Sequence, residues 1–97
     1  MKVKILSPAE LQLKDAYEFY ELQLEGLGSK FLESFLQTVN LIKKIPQGWR
    51  KVSKNTRRIN VNNFPYLILY VLDNNTILIT FVCHSHRAPS YYTKHYR

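Results

Sequence analysis

Tyr66-Leu67-Ile68-Leu69-Tyr70-Val71-Leu72 and Ile77-Leu78-Ile79-Thr80-Phe81-Val82-Cys83 are two apolar runs of seven, separated only by Asp73-Asn74-Asn75-Thr76. Seven residues are too few for an independent buried helix, and β-branched and aromatic side chains favour a pleated, packed surface. The four residues between the runs tolerate turn geometry, so the pair predicts a β-hairpin. Both runs are apolar at nearly every position, which places the hairpin at the centre of the sheet.

The remaining segments are arranged around that hairpin. Lys2-Val3-Lys4-Ile5-Leu6 alternates polar and apolar residues and predicts a short strand with one buried face. Ser7-Pro8-Ala9-Glu10 then predicts a helix start, with Ser7 as N-cap, Pro8 in the first helical position and Glu10 closing a capping box. Leu13, Ala16, Tyr17, Tyr20, Leu24 and Leu27 repeat at helical spacing, with Glu10, Lys14, Glu18, Glu21 and Glu25 mostly off the stripe. Gly26-Leu27-Gly28 ends this helix, and Ser29 is placed to cap a second. The second helix carries Leu32, Phe35, Leu36, Val39, Ile42 and Ile45 until Pro46-Gln47-Gly48. A turn that short predicts an antiparallel helical hairpin.

Arg57-Arg58-Ile59-Asn60-Val61 predicts a further strand, and Asn62-Asn63-Phe64-Pro65 a turn into the central hairpin. The fold class is therefore α+β: a β-strand, an antiparallel helical hairpin, then a three-stranded antiparallel sheet, in a single domain over residues 1–97. The helices would cover one face of the sheet. Tyr70, Thr80 and the residues after the last strand would form an open, basic and aromatic face.

Charge narrows the partner. The chain carries +7, but residues 1–33 hold −2 and residues 34–97 hold +9. So uneven a distribution points the second part toward an anionic partner such as nucleic acid or an acidic protein segment. The single cysteine, Cys83, excludes an internal disulfide and a Cys-x-x-Cys metal pattern, and it reads as a small core residue. A reducing compartment is expected, and neither a secretory leader nor a run able to span a bilayer is visible, so the reading is cytoplasmic with no membrane partner.

The chemistry-bearing residues are Arg57, Arg58, His84, His86, Arg87, Tyr92 and Lys94, to which Lys51 and Lys54 can be added. His84-x-His86 and His95 suggest a metal, but no acid or thiol pair adjoins them to complete three or four ligands, so neither metal nor cofactor is expected. Paired carboxylates and phosphate-cradling glycine loops are also missing. What remains suits a nucleic-acid surface, or metal-independent RNA cleavage in which a base activates the 2′-hydroxyl and cations hold the phosphate.

Three stretches carry a family resemblance: Arg57-Arg58-Ile59, Phe64-Pro65-Tyr66-Leu67-Ile68-Leu69-Tyr70, and His84-Ser85-His86-Arg87-Ala88-Pro89-Ser90-Tyr91-Tyr92. In content and order they resemble the RelE/ParE superfamily of toxins from bacterial type II toxin-antitoxin systems, in particular the ParE-like branch of plasmid stabilisation proteins. His84, Arg87, Pro89 and Tyr92 fall on that branch's terminal pattern.

The resemblance implies a toxin neutralised by a cognate antitoxin, in a toxin-antitoxin hetero-oligomer, with DNA gyrase as target in ParE-like members. In RelE-like members it implies ribosome-dependent mRNA cleavage, with Arg58, His84, His86, Arg87 and Tyr92 as catalytic candidates. Arg57, Arg58, Arg87 and Lys94 become candidates for binding antitoxin or target. The ribonuclease pattern is incomplete: Asn60 stands where a second cation would follow Arg58, and Tyr66 stands where an arginine would begin the central strand. The sequence therefore leans to the ParE-like reading, with RNA cleavage and a non-toxic RNA-binding or degenerate stabilisation protein as alternatives.

Overall fold

A computed structural model describes residues 1–86. The elements run β1 (Lys2–Ile5), α1 (Ser7–Gln23), α2 (Leu27–Lys44), β2 (Thr56–Asn60), β3 (Tyr66–Asp73) and β4 (Thr76–His84). The α+β architecture matches the sequence reading, and the β3–β4 hairpin is central. The strands form one mixed sheet of order β1-β4-β3-β2, in which β1 lies parallel to β4 and the other pairs are antiparallel.

The strand parities decide which residues face the helices. Ile59, Ile68, Tyr70, Ile77, Ile79 and Val82 join Ala9, Ala16, Tyr20, Phe31, Phe35, Val39 and Ile42 in one buried cluster between sheet and helices. Leu67 and Cys83, paired across β3 and β4, form a second small cluster on the opposite face. Cys83 is thus a buried thiol, as its neighbours predict. Burying a large apolar side chain contributes roughly 1.5–3 kcal/mol, so the helix-facing cluster dominates stability.

Tyr70 departs from expectation. The sequence pattern puts it on the open face, yet it is 0% exposed within the helix-facing core, and its hydroxyl donates to the Pro46 carbonyl at 2.7 Å. Thr80 is also buried rather than presented, its Oγ1 donating to the Leu69 carbonyl at 3.2 Å. Tyr70 shares the helix-facing parity of Tyr66 and Ile68 on β3, whereas Thr80 is the extra residue of a bulge, because Leu69 pairs with Phe81 and Tyr70 with Ile79. A bulge inserts one residue into one strand and shifts the parity of the residues beyond it.

The helix caps differ as well. Leu6, not Ser7, is the N-cap of α1, without a side-chain bond. Its N–H continues the sheet ladder to the Ile79 carbonyl at 3.0 Å while its carbonyl accepts from Glu10 N, so the strand passes directly into the helix. Nor does Ser29 cap α2, which starts two residues earlier behind Gly26 in the left-handed region at φ 88°. The Glu21 carboxylate supplies the missing cap, its two oxygens accepting from Gly26 N and Gly28 N at 2.9 Å each. A helix N-terminus leaves donors unsatisfied and favours negative charge, and both needs are met from the preceding helix.

Gly28 itself permits the helices to approach: a Cβ there would lie 2.7 Å from the Tyr17 carbonyl oxygen. Leu36 and Ile45, read as part of the α2 stripe, are 60% and 58% exposed.

Candidate functional site

In the Phe64-Pro65-Tyr66 segment the two half-buried rings pack against the core while Pro65 stays exposed. Asn63 takes the left-handed region at φ 68°, and the chain then turns into β3. This places Phe64 and Tyr66 against the helical hairpin. Phe64 lies 4.9 Å from Tyr20 and 5.1 Å from Phe31 between ring centroids, and Tyr66 lies 5.2 Å from Phe31, all edge-on. Edge-to-face pairs of this kind contribute about 0.5–1.5 kcal/mol beyond area burial. Burial, reinforced by Tyr66, raises the Tyr20 hydroxyl above its ordinary range.

His84 extends this aromatic array outward. It pairs with Tyr66 across the strands, the rings 5.4 Å apart, and stacks on His86 at 5.0 Å. His86 N also donates to His84 Nδ1 at 3.2 Å, leaving the Nε2 atom of His84 as its other polar position. A cavity of about 400 Å³ adjoins this corner, lined by Gln12, Asp15, Phe19, Tyr20, Tyr66 and His84 among others. It forms because β1 ends opposite Ile79, so α1 rather than a strand flanks the last part of β4. Gln12 compensates, its Oε1 accepting from Val82 N at 2.8 Å.

The basic candidates lie elsewhere. Arg58 pairs with Leu69 and so faces away from the helices, whereas Tyr66 and His84 alternate with Leu67 and Cys83 and face toward them. The sheet therefore stands between Arg58 and His84. Arg57 is on the helix-facing side, its Nη1 donating to the Trp49 carbonyl at 2.8 Å, which makes it a brace for the segment before β2. Arg58 Nη2 reaches Asn60 Oδ1 at 3.4 Å. Arg87, Tyr92 and Lys94, with His95, fall outside the described residues. Among the described residues, no group of three histidine, cysteine, aspartate or glutamate side chains could hold a metal ion.

Sequence reasoning missed Gln12, Glu21 and Trp49. Gln12 and Glu21 act on backbone brought near only by the fold, and nothing in their local pattern marks them. Trp49 follows a helix-ending Pro-Gln-Gly and belongs to no periodic stretch.

Comparison with known proteins agrees with this architecture. The chain matches the family model for the ParE toxin of type II toxin-antitoxin systems, parDE, over residues 3–89. A solved structure titled as a chromosomal ParDE toxin-antitoxin system from P. aeruginosa superposes with a TM-score of 0.76 at 15% identity, covering 87% of this chain and 95% of that one. At that identity the likeness speaks for the fold. No curated protein sequence matches. The fold is that of a small α+β toxin of the RelE/ParE superfamily. Within that superfamily, the chain belongs to the ParE toxin family of type II toxin-antitoxin systems.

Proposed function

We propose that residues 1–97 form a single toxin domain that arrests growth by binding DNA gyrase and is neutralised by a cognate antitoxin in a cytoplasmic hetero-oligomer. The observation that carries the choice of gyrase over RNA cleavage is the division of the ribonuclease candidates by the sheet. Arg58 faces away from the helices and His84 toward them, so a base at one and a phosphate clamp at the other would not share a substrate. Tyr66, at the position where RelE-like members have an arginine, packs edge-on against Phe31 and Tyr20 and offers no charge to a phosphate.

Arg58, Arg87 and Lys94 are proposed as contacts for gyrase or antitoxin, and Arg57 as their support. Among the described residues no helix is long and apolar enough to cross a membrane. The excess positive charge of residues 34–97 supports an acidic antitoxin segment as the neutralising partner.

The test is induced expression in bacteria with and without the antitoxin, together with purified gyrase supercoiling assays. Growth arrest with loss of supercoiling, reversed by antitoxin, is the expected result. Transcripts cut only on translating ribosomes, with gyrase unaffected, would replace this reading with the RelE-like one.

A further inference from the structure

The outer edge of the sheet, at β2, has a composition unlike the rest of the molecule. From Ser34 to Leu72 the chain contains seven cations and no acid. The fold gathers part of this segment around a groove of about 710 Å³ between the end of α2, residues 49–50 and β2, lined by Leu41, Trp49, Arg50, Asn60, Asn62 and Asn63 among others.

Several bonds fix the groove in advance. Trp49 Nε1 donates to the Leu41 carbonyl at 3.3 Å, and the Trp49 carbonyl accepts from Arg57. Thr38 Oγ1 accepts from Asn62 N at 3.3 Å, and Arg58 N donates to the Arg50 carbonyl at 2.9 Å. The Leu41 carbonyl, at the negative end of α2, is thereby occupied by the indole and by Ile45 N, and Lys43 and Lys44 lie in the same last turn. These features moderate the repulsion that a helix C-terminus would exert on an anion.

Arg50, Asn60, Asn62 and Asn63 are exposed. The carboxylates of an acidic peptide call only for donors, and of these four side chains Arg50 alone is purely a donor. Asparagine amides both donate and accept, the pattern that base edges present, and an indole supplies a surface for base contact. A groove bordered by an indole and by asparagine amides suits bases that are unstacked rather than paired in a duplex.

We infer that the β2-edge groove binds single-stranded nucleic acid, with Arg50 on phosphate, Asn62 on a base edge and Trp49 against a base. This goes beyond the toxin reading, and Arg58, proposed above as a gyrase or antitoxin contact, also lines the groove.

Trp49 is the only tryptophan of the chain, so its emission reports on the groove directly. The full chain is titrated with single-stranded RNA and DNA 12-mers of mixed sequence, their duplexes, and poly-glutamate of matched charge. Saturable quenching by a single strand is expected; RNA quenching alone, DNA alone or both would identify the sugar accepted. Arg50→Glu should weaken binding about tenfold or more, and Arg50→Ala should lower the salt-dependence slope by about 1. Asn62→Ala should weaken binding about fivefold or more while keeping that slope.

Equal response to poly-glutamate would make this an acidic-peptide site, and equal response to duplex would remove the single-strand assignment. Binding without quenching, or binding unchanged in Arg50→Glu and Asn62→Ala, would overturn the inference.

Discussion

The two flanks of the central hairpin are built on opposite principles. On the α1 side, Tyr20, Phe31, Phe64, Tyr66 and His84 form a continuous ring array, and Asp15 of α1 lines the cavity beside it. On the β2 side, cations, amides and one braced indole border an open groove. One flank is held by burial and is intolerant of change. The other is held by a few bonds between side chains and backbone and leaves Arg50, Asn62 and Asn63 exposed. Phe64-Pro65-Tyr66, part of one of the three stretches that carry the family resemblance, belongs to the first flank and serves packing.

Substitutions can test this contrast, beginning with the largest effect. Phe31→Ala should destabilise the fold by about 3–5 kcal/mol, measured by denaturant unfolding, because it removes a ring that touches three others. An equally deep truncation on the β2 flank, Arg50→Ala, should stay within about 0.5 kcal/mol of wild type. Comparable losses from both would erase the distinction.

Tyr70 joins the two flanks and gives a pH signature. Burial pushes its hydroxyl from 10.0 up to about 12, partly opposed by Arg57. The unfolded chain therefore loses this proton first as pH rises. Stability should be unaffected by this group below about pH 10 and fall by roughly 2–3 kcal/mol by the time pH passes 12. Thermal melts of Tyr70→Phe across that range should lose this part of the alkaline slope, at a cost near neutrality of about 1 kcal/mol for the hydroxyl's bond to Pro46.

Glu21→Ala should cost about 1–2 kcal/mol by uncapping α2. Hydrogen exchange should then show faster opening at Gly26 and Gly28 than in β3. The smallest effect belongs to Leu22→Ser on the exposed side of α1. Leu22 is 88% exposed, so a shift within about 0.5 kcal/mol is expected in chemical unfolding.

Local chemistry makes much of this fold readable. The paired apolar runs around Asp73-Asn74-Asn75-Thr76 specify a hairpin wherever they occur, and Asn74 takes the left-handed region as such a turn requires. The helical stripes lead to Ala16, Tyr20, Phe35, Val39 and Ile42, and the burial of Cys83 follows from its neighbours. Tyr70 is misplaced by its pattern because a strand apolar at every position gives no indication of which parity meets the helices. The bulge shows only in the fold, where the core positions of β4 run 77, 79 and 82 instead of alternating throughout.

The candidate site is less legible. His84 and Arg58 both sit on strands, but the face each adopts depends on pairing across the whole sheet. The groove at Trp49 depends on α2 ending beside β2, which no local pattern announces.

The parallel pairing of β1 with β4 also governs when the protein can come into being. Val3 meets Ile77, 74 positions later, and among the described residues β1 has no other strand beside it in the sheet. Contacts so distant in sequence are slow to form and complete a fold late. While the chain is being made, β1 and the inner face of α1 must wait for the final described strand. Until β4 has been made, the apolar face that β1 and α1 present to it is therefore open to capture by whatever partner is already present.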